Sequence, residues 1–167
     1  MGNIKTEFNE MKEKNAADMT QYAEEVEKIR EPAISSSVIF RAKDVKDITP
    51  SSGDILVFKT TRLNEENGYD NSSGTFTAPV SGTYLFTIQL CVPSRTTLGY
   101  DIVAGNKEIQ QGYFYDKNND SCHTANGITI LRAGEQVWIK VLYSSKLQQG
   151  LNLWNSFSGV LIQRFTE

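Results

Sequence analysis

The chain of 167 residues has one histidine, His123, and two cysteines, Cys91 and Cys122. Neighbouring residues of a strand point to opposite faces, so Cys122 and His123 do not make a ready Cys–His dyad. Two cysteines this far apart in sequence cannot furnish a zinc site. They are compatible with one disulfide or with two buried thiols, and composition leaves both open. P-loops, dinucleotide-binding fingerprints and zinc-protease motifs are absent from the sequence, and its carboxylates show no pair that stands out from a solvated surface. These absences argue against an enzyme. A net charge of −3 gives no general attraction for nucleic acid. No apolar run approaches the ~20 residues that span a bilayer. Met1-Gly2-Asn3 leads into a charged helical pattern without the apolar centre of a secretory leader. The chain therefore reads either as cytosolic or as a mature chain whose leader has been removed.

What is present is a soluble composition, 39% hydrophobic and 22% charged, and a length that fits one domain with an appendage. Ile4, Phe8, Met11, Met19, Tyr22, Val26 and Ile29 recur in steps that are mostly three and four, which predicts a helix with one narrow apolar stripe. Asn15 fills the gap between Met11 and Met19, and the eleven-residue interval from Phe8 to Met19 is a stutter in a heptad pattern. Three fates are open to this helix: packing on its own domain, fraying in solution, or a short coiled coil with Asn15 as a polar register position. Pro32 is expected to stop the helix, and the serines at 35–37 to loosen the connection.

From residue 38 onward the runs "VIFRA", "ILVF", "TYLFTIQLCV", "YDIVAG", "GYFYD", "GITILRA", "QVWIKVLYS" and "FSGVLIQRF" read as strands separated by turns. Tyr84, Phe86, Ile88 and Leu90 share one face, with Thr87 and Gln89 opposite. Val137, Ile139, Val141 and Tyr143 share another, with Trp138 and Lys140 opposite. Strands at this spacing with no helix between them predict an all-β sandwich or jelly roll. No internal repeat and no Gly-X-Y tract occurs. The expected organisation is a helix over 1–33 and a globular domain over 34–167.

Phe58, Asn64, Tyr69, Phe76, Gly82, Tyr84 and Phe86 form a spaced constellation ending in Gly-x-Tyr-x-Phe. With "LRAGEQVWIKV" (131–141) and "FSGVLI" (157–162), it resembles the globular-head domain of the complement C1q family, in the C1q/tumour necrosis factor superfamily. The likeness covers about residues 36–167. Ile88 departs from it, since the family signature usually has Phe or Tyr there. The resemblance implies a jelly-roll β-sandwich with a short N-terminal α-helical stem. It also gives Pro79 and Gly82 structural roles. Proline suits a strand end because it cannot donate to the ladder, and Gly82 is expected to supply a permissive backbone for a corner.

The resemblance further implies a secreted, non-enzymatic homotrimer that recognises its ligand multivalently. The short helical stem is similar to that of invertebrate, especially bivalve, C1q-domain proteins that act as soluble lectins of innate immunity. Glycans or microbial surface molecules are then the expected partners. A receptor-binding protein ligand of cerebellin or cytokine type, and an acidic matrix or mineral-associated protein, are the rival readings. Candidate ligand-binding residues are Tyr113, Tyr115 and Trp154, whose ring faces suit sugars, and Asn118, Asn119, Asn152 and Asn155, whose amides suit hydroxyl and acetamido groups. The family often binds calcium near the trimer apex. Here Asp116 matches the first family carboxylate, His123 falls at or near the second, and Asp120 is the substitute. The family sandwich sets the strands bearing Cys91 and Cys122 side by side, which favours a disulfide between them. Asn71 and Asn119 begin Asn-x-Ser sequons in expected loops.

Overall fold

The computed structural model describes residues 2–34, 37–143 and 145–165. The chain divides into two compact units, 1–36 and 37–167. In the first, one helix α1 spans Gly2–Ile34. Pro32 does not stop it. The helix runs two residues further, so the proline sits in the last turn. Ile4, Phe8, Met11, Met19, Tyr22 and Val26 are all exposed. The side chain of Ile29, Ser35 and Ser36 lie outside the described residues.

The second unit is a two-layer sandwich, an all-β jelly roll. Its strands, in chain order, are β1 (Ile39–Val45), β2 (Phe58–Asn64), β3 (Tyr69–Asp70), β4 (Thr75–Thr77), β5 (Gly82–Val92), β6 (Thr97–Ala104), β7 (Lys107–Tyr115), β8 (Ser121–Leu131), β9 (Gln136–Val141) and β10 (Ser156–Arg164). One sheet, here the front sheet, has the order β2-β1-β10-β5-β8. The other, the back sheet, has the order β3-β4-β9-β6-β7. Period-two alternation makes the core. Tyr84, Phe86, Ile88 and Leu90 of β5 are buried, as are Val137, Ile139 and Val141 of β9. Their neighbours in sequence point away from it.

Structure explains the spacing of the aromatic constellation. The Phe40 ring sits 4.9–5.0 Å from Tyr69, Phe76 and Phe157, which joins aromatic residues from both sheets in one cluster. Asn64 clamps the turn that brings Tyr69 there. Its Nδ2 donates to the Tyr69 carbonyl at 2.9 Å, and its Oδ1 accepts from the Tyr69 N–H at 3.0 Å. The Tyr69 hydroxyl accepts from the Phe58 N–H and donates to the Phe58 carbonyl. Burial, partly offset by the bond to Phe58, pushes the Tyr69 phenol up to about 12. In "FSGVLI", Phe157 fills the core while Gly159 leaves room. A Cβ at Gly159 would lie 2.5–2.8 Å from the Phe40 and Phe86 rings.

The role expected of Gly82 is corrected. It opens β5 with no left-handed φ. A Cβ there would meet the Gln163 carbonyl oxygen at 2.4 Å, so glycine is required by the close approach of β10, not by a corner. Pro79 does follow the end of β4. "ILVF" is also not a strand. Ile55 makes one bridge to Lys140, and β2 begins at Phe58. Tyr143 lies beyond the end of β9 and is 41% exposed, because the chain leaves the ladder after Val141. Ser144, at the end of that run, lies outside the described residues.

Candidate functional site

Three surfaces carry the candidate residues. The first is the long connection from β9 to β10. Cys91 on β5 faces Cys122 on β8 in the ladder, and the two form a disulfide with a Cα–Cα distance of 3.9 Å. The Cys91 N–H donates to Asn155 Oδ1 at 2.7 Å, Asn155 Nδ2 donates to the Gln148 carbonyl at 2.9 Å, and the Gln148 N–H donates to the Cys91 carbonyl at 2.8 Å. Asn155 is thus 0% exposed and commits both ends of its amide to the fold. It is withdrawn as a ligand contact. Asn152 and Trp154 are exposed. One face of the Trp154 ring is occupied by Lys43, whose Nζ lies 3.9 Å from the centroid, and its Nε1 donates to the Leu151 carbonyl.

The second surface is the turn from β7 to β8. Asp116 Oδ1 accepts from the Asn118 and Asn119 N–H groups. These bonds, that to Asn119 foremost, hold the Asp116 carboxyl below the usual carboxylate range. Asp120 Oδ1 accepts from the Ser94 N–H. His123 stacks on Phe114 at 5.2 Å and bonds Ser121 Oγ through Nε2 at 2.8 Å. Calcium takes six to eight oxygen ligands. Among the described residues no three His, Cys, Asp or Glu side chains come close enough to hold a metal ion. Asp116 and Asp120 each spend one oxygen on capping the loop, so further calcium ligands there would come from backbone carbonyls, side-chain amides or water. Asn118 and Asn119 are exposed on this turn, as is Asn71 on another.

The outward faces of the two sheets make the third surface. On the front sheet the registers Ile39↔Val160, Val160↔Leu85 and Leu85↔Ile128 set four apolar side chains in one row across four strands. Ile128 and Ile130 are each 64% exposed. A depression of 330 Å³ beside the row is lined by Ile39, Arg41, Leu63, Leu85 and Val160. On the back sheet, Tyr113 and Tyr115 stand on β7, the first 70% exposed. Asp101 of β6 pairs with Gln111 of β7 on one side and Lys140 of β9 on the other. Asp101 is fully buried although it alternates outward. Lys140 Nζ is 3.3 Å from its Oδ2, a charge contact without hydrogen-bond alignment, and neither carboxylate oxygen takes a hydrogen bond from a described residue. Burial raises its pKa, and Lys140 opposes that rise. Sequence reasoning missed Asp101 and Lys140. The available signal was a carboxylate inside the β-branched run "YDIVA".

Among the described residues no helix is long and apolar enough to cross a membrane. The family model of the C1q domain matches residues 39–162. The chain is similar to a complement C1q subcomponent protein of Rattus norvegicus, 32% identical over 124 residues, covering 71% of this chain and 50% of that protein. It is similar to complement C1q tumor necrosis factor-related protein 2 of Mus musculus, 32% identical over 123 residues, covering 64% and 37%. The chain thus spans half or less of the length of these curated relatives. Among solved structures, the globular domain of a zebrafish complement 1qA protein superposes with a TM-score of 0.59 at 17% identity, covering 76% of this chain and 98% of that one. Murine APRIL superposes with a TM-score of 0.58 at 15% identity, covering 77% and 100%. At such identities these superpositions establish the fold.

Proposed function

This chain belongs to the C1q-domain family, and from that premise we propose that it is a secreted homotrimer of innate immunity that binds glycans or microbial surface molecules through several copies of one weak site. The family is one of non-catalytic recognition modules, which fits the absence of catalytic motifs from the sequence. The similarity to bivalve lectins belongs to this proposal, as does secretion. The disulfide supports secretion, because reducing compartments rarely keep one.

The observation that carries the reading is the apolar row Ile39–Val160–Leu85–Ile128 on the outward face of the front sheet. Two isoleucines of β8, Ile128 and Ile130, are left 64% exposed there, and a contiguous apolar patch of this kind marks an association surface. The exposed stripe of α1 supports assembly independently. Three linked sites turn weak single-site binding into useful avidity. Sedimentation equilibrium at micromolar concentration tests the assembly. A trimer mass is expected for the native chain, and a monomer for Ile128→Asp, which places an unpaired charge in the patch while leaving the core intact. A native monomer refutes the assembly. A glycan array tests the ligand class. Sugar-inhibitable binding supports the lectin, and silence across the array favours a receptor-binding protein ligand.

A further inference from the structure

The outward positions of a solvent-facing sheet are ordinarily polar and wet, yet Asp101 is wholly buried at one of them. No described residue donates a hydrogen bond to either carboxylate oxygen. Lys140 compensates the charge at 3.3 Å from Oδ2, which leaves Oδ1 and most of the accepting capacity of the carboxylate over. Folding alone gains nothing from this arrangement, since an apolar side chain there would serve stability as well or better. Unused acceptors beneath an accessible face are the kind of feature that a ligand completes.

The neighbours of Asp101 define what that ligand is. In the register, Gln111 and Lys140 flank it, both with long unbranched side chains. Tyr113 stands two residues along from Gln111, opposite Gly99. The ring of Tyr143 lies over Gly99, where a Cβ would meet it at 2.5 Å. Tyr113 is 70% exposed and stands one outward position along β7 from Gln111. The charges of Asp101 and Lys140 cancel, so a polyanion gains little from the site. A ring with hydroxyls on its rim and an apolar face suits these groups: the face on Tyr113, one hydroxyl accepting from Lys140 or Gln111, and another donating to Asp101 once one of the long flanking side chains shifts to open the buried carboxylate.

We propose that the outward face of the back sheet between Lys140 and Gln111, with Tyr113 as its stacking wall, is a binding site for an uncharged saccharide. The assignment rests on the glycan-recognition reading above and locates it. It also moves the ligand away from Trp154, whose ring is already stacked by Lys43.

The test uses the full chain with three neutral polysaccharides (mannan, galactan and laminarin) and heparin as a polyanion, each immobilised. Binding to at least one neutral polysaccharide is expected, with a response that does not fall as salt screens charge. Tyr113→Ala and Gln111→Ala, both at exposed positions, are expected to weaken it about tenfold each, while Trp154→Ala leaves it unchanged. Asp101→Asn keeps the shape and removes the charged acceptor, and is expected to abolish binding. Should that buried variant fail to fold, the two exposed variants decide the matter. Neutral-polysaccharide binding that survives Tyr113→Ala and Gln111→Ala overturns the site and leaves the recognition reading standing. Binding to heparin alone overturns the uncharged class. Binding to none of the four overturns the site together with the glycan reading.

Discussion

Replacing Asn155 by alanine is expected to cost far more than a polar-to-apolar change at a loop residue ordinarily does. Its Oδ1 is the acceptor for the Cys91 N–H, and its Nδ2 is the donor to the Gln148 carbonyl. The Cys91 bond is buried and the Gln148 bond half-buried, with Asn155 itself fully covered, so water replaces the first not at all and the second only in part. A buried polar group left unpaired costs about 1–3 kcal/mol, and with the second group only half-buried the pair gives about 1–4 kcal/mol, a large share of the stability of a small domain. Asn152→Ala, a few residues away and exposed, is the control and is expected to fall within about 0.5 kcal/mol of the parent. Asn155→Asp separates the two bonds. Its carboxylate keeps the Cys91 bond but opposes the Gln148 carbonyl, so the buried acid resists ionisation and its folded-state pKa rises. That variant is therefore expected to be most stable at low pH and to lose stability as pH rises through the raised value. Urea unfolding with the disulfide intact, compared at equal m-value, gives the numbers. A cost for Asn155→Ala of under about 0.5 kcal/mol would refute the argument that this amide anchors the β9–β10 connection to the disulfide strand.

Three further outcomes follow from the structure. The Asp70 carboxylate accepts from Ser73 Oγ, Ser72 Oγ and the Ser72 N–H, which lowers it to about 2. Its folded value lies below the unfolded one, so its contribution is present above about pH 4 and is lost as pH falls through about 2. Asp70→Asn is expected to flatten that part of an acid-unfolding curve, and an unchanged curve counts against the turn. Removing the Cys91–Cys122 bridge, which closes a separation of 31 residues, is expected to cost about 3–4 kcal/mol without loss of fold, since the β5–β8 ladder continues on from it. Mass spectrometry of unreduced, alkylated protein checks the bridge, and two alkylated cysteines would reject it. Finally, if Asp116 and Asp120 contribute to a calcium site, calcium is expected to raise the unfolding midpoint, because a ligand that binds only the folded state stabilises it, and a midpoint that a chelator leaves unmoved rejects the site.

The alternation in "TYLFTIQLCV" specified β5 and its buried face by itself. Apolar side chains on every second residue leave one way to lie on a core, and Tyr84, Phe86, Ile88 and Leu90 all went there. The aromatic spacing from Phe58 to Phe86 was legible through the family resemblance that it carried with the motifs at 131–141 and 157–162, and not through alternation. Edge strand β2 was not legible. "KTTRLN" has no apolar period, and it is a strand only because β1 lies beside it. Gly82 and Gly159 were visible as glycines, but what they make room for is a backbone and two rings that are distant in sequence. The side chains of Asn152 and Asn155 are chemically identical and three residues apart. Only the tertiary structure buries one under Cys91 and Gln148 and leaves the other in water. Asp101 is the same case on the back sheet: its character as a buried carboxylate facing Lys140 comes from the two strands that flank β6, and those partners are set by long-range register, which no local pattern encodes.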